Sequence, residues 1–315
     1  MKKVYSSTKR STLDSCALRY FYQYYAPGFV PPEAPRDLLL FQEPDSLVHR
    51  RLDVCDSKAA AACKGLSSSY QVAGQILHNV IAQHWKNLDW APEQFKRTAV
   101  ERFDYNIDAS ARNQRNEASG MRLIEHQHKV PNAEEILSNA RRKLVTAIEN
   151  YFEEPAIVAL VRELLSAGEF AAEIPIGGLP KLRGFSISGR IDGWSRSGSG
   201  FRIVDWKMGG SVGDEDCLQL AIYGWWAVER FKVSPENVRV QRVFLGDGVV
   251  ERPLVMTERM IDRCRARLHQ DLERIEQLHE YGVNGVFEAF PPYRREKVCR
   301  QCRFQGMCVA FKVQA

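Results

Sequence analysis

The spacing of the hydrophobic residues changes near Phe170, and this change constrains the fold more than any other feature of the sequence. Before Phe170, apolar residues recur at helical spacing in three stretches, 67–85, 92–116 and 132–165. After it, alternating segments separated by glycine and serine predict three consecutive strands, at 171–176, 185–194 and 201–207. We therefore expect an α/β protein whose first half is mainly helical, with a helix break near Pro155.

The flanking segments complete this outline. Helical spacing returns at 214–231 and 257–281, and a hairpin is predicted from strands at 238–245 and 249–255. Near the start we expect an aromatic helix over 11–25, then a loop from 31 to 64 with one short helix at 37–51. We therefore expect three regions. A mainly helical region, 1–165, contributes Cys16 and His78. The core is 166–256, and 257–315 is a tail with a long helix and cysteines.

The composition is that of a globular chain and excludes several classes of protein. Hydrophobic residues make up 44% and charged residues 26% of the 315, which excludes a disordered or fibrous chain. The net charge of +5 is compatible with binding a polyanion but too small to predict it. No stretch reaches the roughly 18 apolar residues of a membrane span, and the first residues lack the apolar core of a signal peptide. We expect a cytoplasmic protein that does not contact a membrane.

Two acidic residues and a lysine in neighbouring predicted strands form the most informative motif. Side chains alternate between the faces of a strand, so Asp205 and Lys207 point to the same side. If the strands pair as a hairpin, Asp192 can lie opposite Asp205, and two carboxylates held this close bind Mg²⁺ or Mn²⁺ readily. Such a cation activates water, and the lysine can stabilise the charge on a phosphate. These are the parts of a phosphodiesterase.

A solvated strand face with a surface ion pair is the alternative interpretation of the same residues. It is opposed by Ile191, Ile203 and Val204, which predict strands so buried that an unpaired carboxylate would be costly. We therefore favour carboxylates that share a cation.

Three further side chains fit the same centre. His78 lies among apolar helical neighbours, where it is either a metal ligand or a hydrogen-bonded core histidine, and His84 is a weaker candidate. Gln219 and Tyr223 stand four residues apart and share one helix face, from which both can donate to phosphate oxygens. An ordinary amphipathic helix is the alternative for that pair.

The order of these motifs resembles the PD-(D/E)XK nuclease superfamily in its RecB-like branch, whose motifs run histidine, aspartate, aspartate-x-lysine and glutamine-x-x-x-tyrosine. The resemblance covers Gly74 to Tyr223. It implies a restriction-endonuclease-like fold, in which helices flank a mixed sheet, and metal-dependent hydrolysis of DNA.

The resemblance also assigns roles to the individual residues. The metal would be held by His78, Asp192, Asp205 and the backbone carbonyl of Trp206. Lys207 would be catalytic together with the two aspartates, and Gln219 and Tyr223 would contact or position the substrate strand. Glu173 occupies a position where relatives often carry an acidic residue, and we expect it behind the ligands.

Three cysteines near the end of the chain suggest a second centre. Cys299, Cys302 and Cys308 form a C-x₂-C-x₅-C run, and Cys16 is the candidate for a fourth ligand because chain termini often lie close together. The spacing alone leaves zinc and an iron–sulfur cluster equally open. The other cysteines lack such spacing, and we expect ordinary thiols at Cys55, Cys63, Cys217 and Cys264.

Iron–sulfur members of the RecB-like branch resemble this chain in their cysteine arrangement. They include the AddB nuclease domain and the related CRISPR adaptation nucleases, with one cysteine in an N-terminal aromatic helix and three near the C-terminus. The resemblance implies a 4Fe-4S cluster, rather than zinc, that staples the two termini. Closing so long a loop would stabilise the fold by several kcal/mol, by analogy with a disulfide.

Basic residues interleaved with aromatic residues surround the C-terminal cysteines: Arg294, Arg295, Lys297, Arg300 and Arg303, with Tyr293 and Phe304. They predict either a surface for a phosphate backbone and unstacked bases, with Arg300 and Arg303 as substrate contacts, or a solvated basic tail. A second wall of such a groove is predicted from Arg112, Arg115, Arg141, Arg142 and Lys143. No ATP-binding motif is present, so unwinding would require a helicase or an adaptation-complex partner.

We expect a Mg²⁺- or Mn²⁺-dependent deoxyribonuclease, an exonuclease rather than an endonuclease, that acts on single strands or DNA ends in repair, recombination or CRISPR-related defence. One alternative is a non-catalytic DNA-binding or assembly module of a larger complex. It is opposed by the presence of Asp192, Asp205 and Lys207 together. A zinc-stapled structural protein would leave the predicted burial of the two aspartates unexplained.

Overall fold

The computed structural model describes residues 3–27, 54–113, 120–209, 214–286, 289–293 and 296–308. Within these residues the chain forms two units. The first unit is drawn from Met1–Ser7, Ser69–Ala111 and Asn132–Leu272, and the second from Thr8–Ser68, Arg112–Pro131 and Glu273–Ala315. The units are not consecutive segments of sequence: Cys16 belongs to the second unit and His78 to the first.

The helices follow from good helix formers and from apolar residues at helical spacing. In chain order they are α1 (Ser7–Ser15), α2 (Ala17–Tyr24), α3 (Val54–Lys64), α4 (Ser69–His84), α5 (Pro92–Arg112), α6 (Ile124–Gln127), α7 (Ala133–Glu153), α8 (Pro155–Leu165), α9 (Asp214–Phe231), α10 (Glu258–Val283) and α11 (Glu296–Arg300). The expected helices after residue 66 are confirmed within the described residues. The expected break falls where Pro155 begins α8, because proline fits the first turn of a helix and not its interior.

The strands are β1 (Val4–Tyr5), β2 (Glu169–Pro175), β3 (Ser186–Ile187), β4 (Arg190–Ser197), β5 (Gly200–Lys207), β6 (Val238–Phe244), β7 (Val249–Val250) and β8 (Leu254–Val255). The main sheet has the order β2-β4-β5-β6-β7, and β8 also pairs with β6. Strands β5 and β6 are parallel, whereas the other pairs are antiparallel. The predicted α/β class with a mixed sheet is confirmed, and so is the hairpin after β6.

The single strand predicted over 185–194 is wrong, because the structure divides this segment. Ser186–Ile187 pairs in parallel with Val4–Tyr5 in a separate two-stranded sheet, and the main-sheet strand begins only at Arg190. Gly189 lies at the division, where a Cβ atom would approach the Cδ1 atom of Ile176 to 2.9 Å. The contact is with the end of a flexible side chain, so it marks the close passage of Ile176 and does not by itself require glycine.

Two predictions near the start of the chain are also corrected. The helix predicted over 11–25 is two helices, because Cys16 has an extended backbone (φ −170°, ψ 116°) and its sulfur caps α2 by accepting from the Arg19 N–H. The loop predicted over 31–64 contains helix α3, whose alanine-rich run favours a helix. The short helix predicted at 37–51 lies outside the described residues.

The first unit packs α4 against α7 and against strands β2 and β4. Trp85, just after α4, covers Gly193 of β4 so closely that a Cβ atom there would lie 2.7 Å from the indole ring. The indole N–H donates to the Tyr151 hydroxyl at 3.0 Å, and Trp206 packs edge-on against the same tyrosine. These contacts fix the helices behind the strands that carry the acidic residues.

His84 is part of this core. Its Nδ1 atom lies 3.0 Å from the Tyr151 hydroxyl, and burial lowers its pKa. This is the arrangement of a hydrogen-bonded core histidine.

The helices of the described residues differ from membrane-spanning helices in their combination of length and hydropathy. None of these helices combines the length and the apolar character that crossing a bilayer requires.

Candidate active site

Asp192 and Asp205 lie at the end of the ladder between β4 and β5. The last paired residues are Gly193 and Val204, so the next residue on each strand is an aspartate. The Asp192 Oδ2 atom accepts a hydrogen bond of 2.8 Å from the Trp206 N–H. Both aspartates are buried, with exposed fractions of 8% and 1%. The register thus brings two desolvated carboxylates together.

Asp205 has one paired and one unpaired oxygen. Its Oδ2 atom lies 2.8 Å from the Lys207 Nζ atom, as their shared strand face predicts. Its Oδ1 atom is buried and has no hydrogen-bond partner among the described residues. Burial, and then the charge of Asp192, raise the pKa of Asp205 above its ordinary value, and Lys207 opposes this only in part. A buried carboxylate oxygen without a partner is costly, and a bound cation would satisfy it.

His78 extends from α4 towards Asp192 and towards Glu173 of β2. Its Nδ1 atom lies 3.2 Å from the Glu173 Oε1 atom and 3.3 Å from the Asp192 Oδ1 atom. Burial alone would lower the pKa of His78, but the two carboxylates outweigh it and raise the pKa. The histidine is therefore held by acidic residues of two strands.

Glu173 has an unusual backbone conformation. Its φ of +56° places it in the left-handed region in the middle of β2, which costs on the order of 1 kcal/mol or more for a residue with a side chain. The register of β2 and β4 pairs Ala172 with Gly193 and Ile174 with Ile191, and leaves out Glu173 between them. Backbone strain of this kind is concentrated at functional sites. Sequence periodicity carries no signal of this conformation.

The closest grouping of ligand atoms indicates where a divalent cation fits. Among the described residues, one atom each from His78, Glu173 and Asp192 lie within 4.8 Å of one another. Glu173 is therefore one of the three grouped residues, whereas the sequence suggested that it lies behind the metal ligands. Asp205 is outside the grouping, although its charge interacts with Asp192 and His78. Carboxylate oxygens with one imidazole nitrogen suit Mg²⁺ or Mn²⁺, so the side chains present fit such an ion.

Gln219 and Tyr223 of α9 join the lysine to the neighbouring strand. Lys207 Nζ donates to the Gln219 Oε1 atom at 3.3 Å, and the Gln219 Nε2 atom donates to the Tyr223 hydroxyl at 2.5 Å. The hydroxyl donates in turn to the Arg190 carbonyl at 2.6 Å. Burial, followed by the charges of the two aspartates, raises the pKa of Tyr223. The predicted pair thus lies beside the acidic site and fixes the position of the lysine.

Trp206 contributes its backbone to the site while its ring is part of the core. Its N–H donates to Asp192, and the residue as a whole is 1% exposed. The role of its carbonyl as a metal ligand stays a prediction.

The four predicted cluster cysteines all lie in the second unit. The Cys16 sulfur accepts from the Tyr293 N–H at 3.4 Å, and Cys299 donates to the Tyr293 carbonyl at 4.0 Å. Burial raises the pKa of Cys302 to about 11, and the nearby Cys308 and Cys16 act in the same direction. Among the described residues, the four sulfur atoms do not lie close enough together to form a site for a single metal ion. A four-iron cluster is bound by one thiolate at each iron, so it does not require the four sulfur atoms to converge on one point.

The other described cysteines have no such neighbours. Cys63 is half-buried beside Arg122 and Arg303, and burial raises its pKa. Cys217 is exposed and Cys264 is buried. The side chain of Cys55 lies outside the described residues.

The basic residues near the cysteines occupy different settings. Arg300 is exposed, whereas Arg303 is half-buried, donates to the Lys64 carbonyl at 2.8 Å and has its own carbonyl bonded to His128. Phe304 is buried against Tyr22, so it is not displayed to a base as expected. Arg294, Arg295 and the side chain of Lys297 lie outside the described residues.

Most of the described side chains of the second predicted basic wall form contacts with other residues of the first unit. Arg141 pairs with Asp104, Arg142 donates to Asn139, and Lys143 lies over the ring of Tyr70. Arg112 is exposed, and Arg115 lies outside the described residues.

Comparison with known proteins identifies the family. No curated protein matches the chain. The sequence model of the PD-(D/E)XK nuclease superfamily matches residues 4–309, and the mixed sheet with flanking helices is consistent with a restriction-endonuclease-like fold. Membership implies nuclease-type activity that depends on divalent metal, with DNA as the substrate. The chain therefore belongs to the PD-(D/E)XK nuclease superfamily.

Proposed function

We propose that the protein is a Mg²⁺- or Mn²⁺-dependent deoxyribonuclease of the RecB-like branch, with its active site at the end of β4 and β5. The observation that carries the proposal is Asp205, whose buried carboxylate has Lys207 on one oxygen and no partner among the described residues on the other. An arrangement of this kind is costly in a structural protein and useful in a metal-dependent nuclease.

The metal would be held by His78, Asp192, Asp205 and the Trp206 carbonyl, with Glu173 as a further carboxylate. When bound, a divalent cation would lower the pKa of a water molecule and neutralise charge on a phosphate oxygen. The hydrogen bond from the Trp206 N–H orients the Asp192 carboxylate, and the contact with Lys207 orients that of Asp205. These side chains are thus positioned before any ligand binds.

Lys207 is the proposed catalytic cation. Its ammonium group, positioned by Asp205 and Gln219, can orient the attacking water or stabilise the negative charge that develops on the phosphate. Gln219 and Tyr223 would hold the lysine and contact the substrate strand.

The mode of action follows from the resemblance of the motifs to the RecB-like branch. We propose an exonuclease that acts in the cytoplasm on single strands or DNA ends, in repair, recombination or CRISPR-related processing, with a helicase or adaptation-complex protein as a partner. Arg300 and Arg303 are proposed contacts of the substrate outside the active site.

A 4Fe-4S cluster on Cys16, Cys299, Cys302 and Cys308 is the second part of the proposal. Its support is the position of Cys16 and Cys299 on either side of Tyr293, and the proximity of Cys302 to Cys308 and Cys16. Protein purified without oxygen is expected to be brown, with iron and sulfide in equal amounts. Colourless protein with stoichiometric zinc would contradict the cluster.

The nuclease is tested with end-labelled linear and circular DNA, single- and double-stranded, in Mg²⁺ and in Mn²⁺. We expect wild-type protein to degrade linear single strands and to leave circles intact. Cleavage of circles would replace the exonuclease by an endonuclease. Absence of cleavage on every substrate, in protein that still binds DNA, would favour the non-catalytic module instead.

A further inference from the structure

A cleft of about 720 Å³ lies beside the acidic site of the first unit. Its walls come from α4 and the turn after it, from α5, from β2 and from the first residue of β4. Glu173, which contacts His78, is one of its lining residues. The cleft is therefore continuous with the proposed active site.

The charge of the cleft favours an anion. Lys86, Arg102 and Arg190 line it and are exposed. Arg190 lies 3.4 Å from Glu173, whereas Lys86 and Arg102 form no ion pair within the described ranges. Lys86 lies two residues after the end of α4, the helix that carries His78. Two cations without an ion-pair partner among the described residues, in a cleft that Glu173 also lines, suit the phosphates of a strand that passes through it.

The floor of the cleft suits nucleic-acid bases. Phe170 and Ile174 supply half-exposed apolar surface, and Phe170 packs edge-on against Trp85. Gln83 lines the same cleft. Its Oε1 atom is buried and has no hydrogen-bond partner among the described residues, so a bound base would satisfy it. Every DNA base carries an N–H donor on its Watson–Crick edge, so this oxygen can accept from an unpaired base of any type.

The edge of the main sheet gives the cleft further donors. Strand β2 is the first strand of the sheet, and within the described chain no strand pairs with its outer edge. The backbone N–H groups of such an edge can bind phosphate oxygens. The volume is that of a pocket for a small ligand, so a few nucleotides of one strand fit and a duplex does not.

We propose that this α4–β2 cleft binds the single DNA strand that leads to the acidic site, with Lys86 and Arg102 as positioning residues for its phosphates and Gln83 as an acceptor for a base. The inference rests on the proposed nuclease function and names the path of its substrate.

The test measures binding of a fluorescent single-stranded oligonucleotide in EDTA, where no cleavage occurs, over a range of salt concentrations. The variant Lys86→Glu/Arg102→Glu is compared with Arg252→Glu/Arg259→Glu, which removes the same charge from exposed residues of the first unit that do not line the cleft. We expect the cleft variant to bind at least about tenfold more weakly at low salt. Its slope of log affinity against log salt should fall by about 1.4, because two phosphate contacts are lost. The control variant should bind nearly as wild type does.

Gln83→Met separates the base contact from the charge contacts. It keeps the length of the side chain and removes the acceptor, so we expect a loss of affinity of a few fold with an unchanged salt slope. A change in the salt slope would contradict the assigned role of Gln83.

Cleavage of a small phosphodiester such as bis(4-nitrophenyl) phosphate distinguishes this inference from the nuclease proposal. In the cleft variant, kcat/KM for the small ester should stay unchanged, while KM for the oligonucleotide rises. Equal binding by the cleft variant and wild type would overturn the proposal that the cleft binds the DNA strand, even if both proteins cleave DNA. Weakened binding without cleavage by either protein would support the cleft and overturn the nuclease.

Discussion

The acidic site of the first unit and the cysteine region of the second unit are held in different ways. At the acidic site, hydrogen bonds of 2.8 Å join Lys207 to Asp205 and the Trp206 N–H to Asp192. In the cysteine region, the Cys16 sulfur accepts from the backbone N–H groups of Arg19 and Tyr293 at 3.5 and 3.4 Å, and Cys299 donates to the Tyr293 carbonyl at 4.0 Å. Sulfur is a weak donor and acceptor, so these contacts add little.

This difference indicates which of the two sites, the acidic site or the cysteine region, the fold maintains without a bound ligand. Paired strands fix the acidic residues through their register, so the site needs no ligand to form. Short helices and turns carry the thiols, and the proposed cluster would hold them together. We therefore expect that loss of the active-site metal leaves the fold intact, whereas loss of the cluster unfolds part of it.

The largest effect is expected at the lysine. Lys207→Ala should lower kcat by about a thousandfold, because the group that stabilises charge in the transition state is lost. The thermal midpoint measured without metal should fall, since the buried Asp205 carboxylate loses its ion-pair partner. Nuclease assays in Mg²⁺ and calorimetry test this, with Lys232→Ala, an exposed lysine of the same unit, as the control. Wild-type activity in Lys207→Ala would exclude this site.

The second effect concerns the stability of the cysteine region. Cys302→Ser should remove the cluster and lower the free energy of unfolding by about 3 kcal/mol, by analogy with a long-loop disulfide. Denaturant unfolding and limited proteolysis report it. Cys217→Ser is the matched control, because that thiol is exposed and outside the set. Equal stability of the two variants would show that no cluster staples this unit.

A smaller effect is expected from Gly193→Ala, next to Asp192. The added Cβ atom would lie 2.7 Å from the Trp85 ring, which is buried against the sheet. We expect a loss of about 1–3 kcal/mol of stability, together with reduced activity as the strand shifts. Gly200→Ala, at the start of the neighbouring strand β5, meets only a contact of 3.3 Å and should cost less. The reverse order of stability would contradict the tight packing of β4.

The smallest effect is expected at Glu173. Glu173→Gly should relieve the left-handed backbone and raise the free energy of unfolding by about 1 kcal/mol. Glu173→Gln keeps the backbone strain and removes the charge. Both variants should bind Mn²⁺ more weakly, by about tenfold, as titration calorimetry can measure. Unchanged Mn²⁺ affinity would exclude Glu173 as a ligand.

Local patterns predicted the fold class and much of the site. The alternation around Asp205 and Lys207 placed both side chains on one face, and the spacing of Gln219 and Tyr223 placed them on one turn of α9. These predictions need only the periods of a strand and a helix. The same periods predicted the helices and strands after residue 66, except around Gly189 and at 249–255, where the structure has two short strands, β7 and β8.

The features that the sequence did not predict depend on contacts between distant residues. The left-handed conformation of Glu173 is held by its neighbours in the sheet, and no residue type signals it. The division at Gly189 accompanies the pairing of Ser186–Ile187 with the distant strand Val4–Tyr5, and the helix break at Cys16 depends on a single extended residue within an otherwise helical pattern. Burial of Phe304 against Tyr22 likewise required the tertiary structure.

The central claim is that Asp192 and Asp205 hold one catalytic cation. Crystals soaked in Mn²⁺ and measured at the manganese absorption edge locate that ion directly. We predict an anomalous peak at bonding distance from a carboxylate oxygen of each aspartate, and its loss in Asp205→Asn. A protein that cleaves DNA with Mn²⁺ and shows its only peak elsewhere would contradict the account.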